Sequence, residues 1–144
     1  MIHAKNSAVR LLEYRIKYGQ SNINITDKGG VGTILIGLTH FTSQAESHKG
    51  YCHGGSMCSV MDDIIGWTGF CVSGKCVPWS GFTAQVNTKL INPIPVNTIL
   101  KLSCRIIKVE KRKVFLKAEL VDPVDPKNEK KYCEADGLVI LKKA

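Results

Sequence analysis

The residues best suited to chemistry are a His-Gly-Gly triplet and an aspartate that follows it. His53-Gly54-Gly55 stands at the predicted start of a helix, and Asp62 comes nine residues after His53. Glycines at a helix N-terminus leave backbone N–H groups accessible, and these donors and the helix dipole suit an anion or a developing oxyanion. A carboxylate in an otherwise apolar helix is costly unless it has a partner or a function. Asp62 is therefore a candidate functional carboxylate, with a paired structural aspartate as the alternative.

The helix that carries these residues is predicted over residues 54–70. Apolar residues recur on one face at the i, i+3, i+4, i+7 spacing: Met57, Val60, Met61, Ile64 and Trp67. Asp62 falls on another face, which small residues occupy: Gly55, Ser59, Gly66 and Gly69. Small residues let other backbone approach, so we expect a helix that is buried on several sides. Asp63 points about 100° away from Asp62 and is predicted to face solvent or a capping network.

The length of this helix separates the two candidate groups. Gly54 and Asp62 are eight residues apart, which corresponds to about 12 Å at 1.5 Å per residue. One small carbonyl group cannot contact both. If both act on one reacting centre, they must come from two chains, in a composite site at a two-fold homodimer interface.

The rest of the chain is predicted to be mainly strand. Strand patterns cover residues 33–42, 83–91, 99–109, 114–120 and 133–141. Alternation in the second of these places Thr83 on the face opposite Val86. The last four strands follow one another like a meander, which implies a mainly antiparallel sheet with the long helix to cover it. The predicted fold is α+β, an antiparallel sheet wrapped around one long central helix.

Residues 1–20 allow two interpretations. A short first helix over residues 7–18, with Ser7 as N-cap, has enough apolar side chains to dock on a core. Three basic residues would also suit a mitochondrial presequence: Arg10, Arg15 and Lys17. We favour the helix because its apolar residues are numerous enough to dock on a core, and Glu13 does not suit a presequence.

Composition bounds the class of protein. The chain has 144 residues, 44% of them apolar, which predicts a single domain over residues 1–144. It contains no run of ~18 apolar residues, which excludes a helical membrane span. The net charge of +8 suits nucleic acid, an anionic membrane, a phosphate-bearing small molecule or simply a solvated basic surface. Aromatic residues are only 7% and form no aromatic–basic repeat, so we expect no nucleic-acid partner.

Cysteine usage bears on the compartment. The chain has six cysteines, and its first twenty residues show no hydrophobic secretory segment. We therefore expect a reduced, intracellular protein, in the cytoplasm or in mitochondria. No CxxC pair or matching Cys/His set is present, which predicts that the protein holds no metal.

A longer pattern surrounds the triplet. Residues 48–55 read His-Lys-Gly-Tyr-Cys-His-Gly-Gly, and Asp62, Thr83-Ala84 and the Asn-Pro-Ile-Pro of residues 92–95 follow. This pattern resembles the hotdog-fold acyl-CoA thioesterases, in the branch of phenylacetyl-CoA thioesterase-like and mammalian long-chain acyl-CoA thioesterase proteins. The resemblance covers about residues 32–142. It implies a hotdog-fold homodimer, expected to pair into a dimer of dimers, that hydrolyses a fatty-acyl or aryl-acyl CoA thioester without a cofactor.

The resemblance also implies roles for single residues. The Gly54 N–H would polarise the thioester carbonyl, and Asp62 from the partner subunit would act as general base on water or as nucleophile. Thr83 would hold that water or orient Asp62, and His53 would shape the turn. Ser47 stands where many relatives have Asn and would donate one hydrogen bond. The implied substrate-binding residues are Ser47, Gly55, Leu90, Asn92, Pro93, Lys108, Lys111, Arg112 and Lys113.

Other functions fit the same sequence. A catalytically silent dimer of this fold could bind acyl-CoA or act as a scaffold. A nucleic-acid-binding module would be indicated by binding that falls steeply with salt. Hydratase or dehydratase chemistry on the same fold lacks a His-based acid–base pair in a suitable position.

Overall fold

The chain folds as a six-stranded antiparallel sheet packed against one long helix, in a computed structural model that describes residues 8–19, 30–124 and 130–143. The elements in chain order are β1 (Val9–Lys17), β2 (Ile34–Phe41), β3 (Glu46–His48), β4 (Tyr51–Cys52), α1 (Gly54–Gly69), β5 (Gly81–Leu90), β6 (Thr98–Glu110), β7 (Lys113–Val121) and β8 (Lys131–Leu141). The strand order is β1-β2-β6-β7-β8-β5, and β3 and β4 form a separate small ribbon. The predicted α+β class and the helix predicted over residues 54–70 are confirmed.

The predicted meander is wrong for one strand. β6, β7 and β8 pair in sequence, but β5 pairs with β8 at the sheet edge instead of with β6. The segment between β5 and β6 contains two prolines and contacts the β4 region, where Tyr51 bridges Pro95 and the Val96 N–H donates to the Gly50 carbonyl at 3.0 Å. Proline prevents a tight paired turn at this point, so the chain crosses to the far side of the sheet.

The predicted first helix is also wrong. Residues 9–17 form β1, which pairs with β2 from Val9↔Phe41 to Lys17↔Ile34. A bulge between Leu11 and Glu13 interrupts the register, so the apolar residues of this segment follow neither a clean strand period nor a clean helix period. Pairing with an already formed strand decided the outcome, because tertiary context overrides weak local preference. Ser7, the predicted N-cap, lies outside the described residues.

The helix packs close to the sheet. Four members of its predicted apolar stripe are buried, and Trp67 is half-buried. Glycines allow the approach: a Cβ placed on Gly137 of β8 would lie 2.5 Å from Ile65 Cγ2, and one on Gly69 would lie 2.9 Å from Val139 Cγ2. A β-carbon at either position would overlap the opposite element, so these glycines set the distance between helix and sheet.

Replacing Gly137 with alanine should destabilise the protein by about 1–3 kcal/mol, because the new methyl group overpacks the contact with Ile65. Gly66→Ala is the matched control, since its Cβ would meet only the Thr83 Oγ1 at 3.5 Å, and alanine is the better helix former. Urea unfolding of both variants measures the difference. Equal urea midpoints for the two variants would mean that the helix packs less closely against β8 than described.

Candidate active site

The start of α1 is shaped by His53. This residue is the N-cap, in an extended conformation with φ −74° and ψ 152°, and its Nδ1 accepts a hydrogen bond from the Ser56 N–H at 2.9 Å. The Ser56 hydroxyl returns a bond to the His53 carbonyl at 2.6 Å. The cap occupies the Ser56 donor and leaves the first helical N–H, that of Gly54, without an acceptor among the described residues. A free N–H at the positive end of a helix dipole can stabilise a developing oxyanion.

Neighbouring segments hold this helix start in place. The His53 N–H donates to the Ala45 carbonyl, and the Cys52 N–H donates to the Ile94 carbonyl, each at 2.8 Å. Leu90, at the end of β5, lies against Gly54, since a Cβ on that glycine would be 2.9 Å from Leu90 Cδ1. The structure therefore brings Gly54, Leu90 and the Asn-Pro-Ile-Pro segment together.

Asp62 and Thr83 line one groove beside the helix. The groove holds about 290 Å³, and its walls come from α1, from the loop after it and from β5: Asp62, Asp63, Gly66, Trp67, Phe70, Trp79, Gly81, Phe82 and Thr83. Asp62 is exposed and has no hydrogen bond or ion pair with another described residue. Gly66 lies between the two elements with space beside the Thr83 hydroxyl. A carboxylate and a hydroxyl that share a groove can position a water molecule for attack.

A β-bulge turns Thr83 toward this groove. The predicted alternation placed Thr83 opposite Val86, and that prediction is wrong. The register runs from Thr83↔Val139 to Gln85↔Leu138, so Ala84 is the extra residue and the alternation changes phase there. Thr83, Val86 and Thr88 consequently share the side of β5 that faces the helix, and the last two line a second hollow beside Asp62.

Asp63, the residue after Asp62, links the helix to another element of the fold. Asp63 is half-buried, and the Tyr14 hydroxyl of β1 donates to its Oδ2 at 3.5 Å, a long hydrogen bond. Burial raises the pKa of Tyr14, and the Asp63 carboxylate raises it further, so the phenol keeps its proton and remains a donor. Asp63 was predicted to face solvent or a capping network. It instead connects the helix to the first strand, while Asp62 is the exposed carboxylate.

One chain does not bring Gly54 and Asp62 together. Both lie on α1, and their eight-residue separation corresponds to about 12 Å along a helix. Gly54 contacts the Leu90 end of β5, whereas the groove that Asp62 lines lies at the Gly81 end. The two candidate groups therefore occupy two distinct places on the surface of one chain.

The other predicted binding residues divide between the two ends of β8. Ser47 and Pro93 are exposed, and Gly55 lies beside the His53 ring. The Asn92 side-chain amide donates to the Lys131 carbonyl at 2.7 Å, so it ties its segment to the start of β8. The basic residues of the β6–β7 hairpin lie at the opposite end, where Lys113 is in register with Ile140.

The basic hairpin is exposed. Lys111 takes up a turn conformation with φ 55°, and the Arg112 Nη1 donates to the Leu141 carbonyl at 3.4 Å. Lys108 is paired with Glu110 at 3.4 Å and lies 5.6 Å from the centre of the Phe115 ring. Lys111 and Lys113 have no ion-pair partner among the residues that the structure describes. Their charges are thus available to an anionic ligand.

The four buried cysteines, Cys52, Cys71, Cys104 and Cys133, are not activated thiols. Burial raises the pKa of Cys52, beside His53, and raises the pKa of Cys104 and of Cys133 to about 12. Burial, together with the neighbouring Cys76, raises the pKa of Cys71 to about 12 as well. Thiols with such values are protonated at neutral pH and are weak nucleophiles.

Thiol titration of the native protein at neutral pH is expected to modify at most two cysteines, Cys58 and Cys76, because these are exposed and the other four are buried. Denaturant should release all six. Counting the thiols that react with an aromatic disulfide reagent before and after denaturation tests this. Rapid modification of Cys52 would instead mark an activated thiol beside the helix start.

No three or more His, Cys, Asp or Glu side chains within residues 8–19, 30–124 and 130–143 are grouped so that they could bind a metal ion. No helix in the same ranges has the length and apolar character needed to cross a membrane.

Part of the chain resembles a curated protein. No family model matches the chain. Acyl-coenzyme A thioesterase THEM4 of Bos taurus is 32% identical over 91 residues, which is 63% of this chain and 34% of that protein. The chain thus spans about a third of the length of this curated relative.

Solved structures extend the comparison to almost the whole chain. Zebra fish thioesterase superfamily member 2 matches with a TM-score of 0.65 at 16% identity, over 94% of this chain and 82% of that one. A hypothetical thioesterase protein with coenzyme A from Streptococcus pneumoniae matches with a TM-score of 0.64 at 14% identity, over 90% and 89%. The chain therefore has the hotdog fold of these solved structures, and part of its sequence is similar to that of an acyl-coenzyme A thioesterase, as the resemblance predicted.

Proposed function

We propose that the protein hydrolyses acyl-CoA thioesters to a free acid and coenzyme A. The observation that carries the proposal is the shared groove of Asp62 and Thr83, on a helix whose first N–H is open. A thioester needs no strong acid at its leaving group, because a thiolate leaves readily. One carboxylate, one positioned water and one oxyanion donor are therefore sufficient.

Four residues have roles in the proposed hydrolysis. The Asp62 carboxylate takes a proton from water while the water oxygen bonds to the thioester carbon. The carbonyl oxygen gains negative charge, which the Gly54 N–H stabilises at the helix N-terminus. Collapse of this intermediate breaks the carbon–sulfur bond, and the coenzyme A thiolate leaves and takes up the proton. Thr83 holds the water or orients Asp62, and His53 maintains the turn through its cap.

The site is proposed to be composite, formed by two subunits. Gly54 and Asp62 are too far apart in one chain to contact one carbonyl. In a two-fold dimer with antiparallel helices, position 54 of one subunit meets position 62 of the other, and the reverse contact follows by symmetry. β5 supports this arrangement, because it is a ten-residue edge strand with an open row of backbone groups beside the groove.

The basic residues of the β6–β7 hairpin are proposed to bind the phosphate groups of coenzyme A. Lys111, Arg112 and Lys113 lie at the same end of β8 as Val139, the register partner of Thr83. Phosphate groups are bound by such unpaired cations, so this hairpin is proposed to contact the diphosphate or the 3′-phosphate. Leu90 and Pro93 would contact the ligand at the Gly54 end of the composite site.

Subunit mixing tests the composite site. Gly54→Pro removes the donor, and Asp62→Asn removes the base, so each single variant should be nearly inactive. If the site joins two chains, half of the randomly mixed dimers regain one intact site of two, which restores about a quarter of wild-type activity. Refolding the two variants together and separately, followed by thioester hydrolysis, measures this. Mixtures without restored activity would place both residues in one chain's site.

The alternative to this proposal is a catalytically inactive dimer that binds its ligand without hydrolysis. It would bind coenzyme A, measured by titration calorimetry, but release no free thiol from acetyl-, octanoyl-, palmitoyl- or benzoyl-CoA. Turnover of any of these thioesters by the wild type, with loss in Asp62→Asn, would exclude it.

A further inference from the structure

Two cysteines lie side by side in the loop that follows α1. Cys71 and Cys76 line one cleft of about 190 Å³ between the end of the helix and β1. The chain reverses between them, since the Gly74 N–H donates to the Cys71 carbonyl at 3.1 Å and Gly74 has φ 94°, a left-handed conformation that suits glycine. The Val77 N–H closes the loop by donating to the Phe70 carbonyl at 2.9 Å. The fold therefore brings two thiols together that are five residues apart in the sequence.

Tyr18, which follows β1, completes this cluster. Its hydroxyl forms one hydrogen bond with the Cys71 side chain and another with the Cys76 backbone. Burial raises the pKa of Tyr18, and the two cysteines raise it further, so the phenol keeps its proton at neutral pH and can donate to the Cys71 sulfur. The Cys71 Sγ itself donates to the Trp67 carbonyl at 3.3 Å. Groups from three parts of the chain thus hold the Cys71 sulfur in place.

The two thiols differ in their access to solvent. Cys76 is exposed and Cys71 is buried, so a reagent in solution reaches Cys76 first. Burial raises the pKa of Cys71 to about 12, and Cys76 adds to the rise through its charge and a side-chain hydrogen bond, whereas the Tyr18 hydroxyl opposes it. The part caused by Cys76 disappears once the Cys76 sulfur is bonded to another sulfur. Cys71 therefore becomes a better nucleophile at the step in which it is needed.

We propose that Cys71 and Cys76 are a redox modification site, at which a low-molecular-weight disulfide such as oxidised glutathione joins them by a disulfide bond. The Cys76 thiolate attacks one sulfur of oxidised glutathione, which forms a mixed disulfide and releases one glutathione thiolate. The Cys71 thiolate then attacks the Cys76 sulfur, which forms the Cys71–Cys76 bond and releases the second glutathione thiolate. The two protein thiols lose two electrons, and their protons pass to the two glutathione thiolates. This inference does not depend on the proposed hydrolysis.

The disulfide ties the end of α1 to the loop that leads to the groove of Asp62. Trp67 lines both the cysteine cleft and that groove, and its carbonyl loses a donor when the Cys71 thiol proton leaves. A cross-link also restricts the unfolded chain. We therefore expect the oxidised protein to have a higher urea midpoint than the reduced protein.

Oxidation of a Cys58→Ser variant tests the site. This variant lacks the other exposed cysteine, so only Cys76 is accessible to begin the exchange. After incubation of the native variant with oxidised glutathione, we expect a mass two hydrogens below that of the reduced form and a loss of two reactive thiols in denaturant. Peptide mapping should find the cross-link between residues 71 and 76, and a reductant should reverse it.

Two further variants separate the two chemical steps. Cys58→Ser with Cys76→Ser is the matched control and should show neither the mass loss nor the rise in urea midpoint. Cys58→Ser with Cys71→Ser should stop at the mixed disulfide, with one glutathione bound to Cys76. A mixed disulfide that persists although Cys71 is present would overturn the inference. An unchanged mass, a cross-link between another pair of cysteines, or an equal rise in midpoint without Cys76 would overturn it as well.

Discussion

Asp62→Asn is expected to lower kcat/KM for acyl-CoA hydrolysis by about 10²–10⁴-fold, the usual contribution of a general base. The amide has the same shape as the carboxylate but cannot accept a proton from water at neutral pH. Asp62 is exposed and has no hydrogen-bond or ion-pair partner among the described residues. The change should therefore leave the urea midpoint almost unaffected, while release of free thiol from the substrate falls.

Asp63→Asn is the matched control, one residue away on the same helix. This variant weakens the contact that the Tyr14 hydroxyl makes, so its effect should appear mainly as lower stability, with most activity retained by the folded protein. Measuring both unfolding and hydrolysis for the two variants separates the roles. Wild-type turnover in Asp62→Asn would remove this carboxylate from the mechanism. Equal losses of activity in both variants would contradict a special catalytic role for Asp62.

Gly54→Pro should reduce kcat by about 10²–10³-fold, because it deletes one oxyanion donor. The substitution suits the backbone at this position. Proline is favoured at the first residue of a helix, and the preceding His53 already has the extended conformation that a following proline requires, with ψ 152°. The helix should therefore form as before, and only the N–H is lost.

Gly54→Ala is the control for the side chain. Its Cβ meets the end of the flexible Leu90 side chain at 2.9 Å, as the proline ring would, but the N–H remains. We expect this variant to keep far more activity than Gly54→Pro in the same hydrolysis assay. If both lose activity equally, crowding at Leu90 and not the lost donor would explain the effect.

The sequence by itself determined the central helix and what begins it. An apolar stripe at helical spacing, glycines where the helix meets the sheet, and a histidine before two glycines are local signals, so α1 was predicted within one residue. The strands from β6 to β8 were equally readable, because each buries one face and is bounded by turn residues. The same residues carried the resemblance that the comparisons support.

Only the tertiary structure decided which strands pair and on which side of a strand each side chain lies. Residues 9–17 became a strand because β2 offered an edge to pair with, a partner that no local pattern reveals. The bulge at Ala84 moved Thr83 to the helix side, although simple alternation placed it opposite Val86. The loop that carries Trp79 is tied to the end of β8, where the Lys142 N–H donates to the carbonyl of Ser80, a residue distant in sequence. Spacing along the chain defines only periodicity. Register, edge position and bulges arise from pairing between segments, and this pairing decides which side chains share a groove.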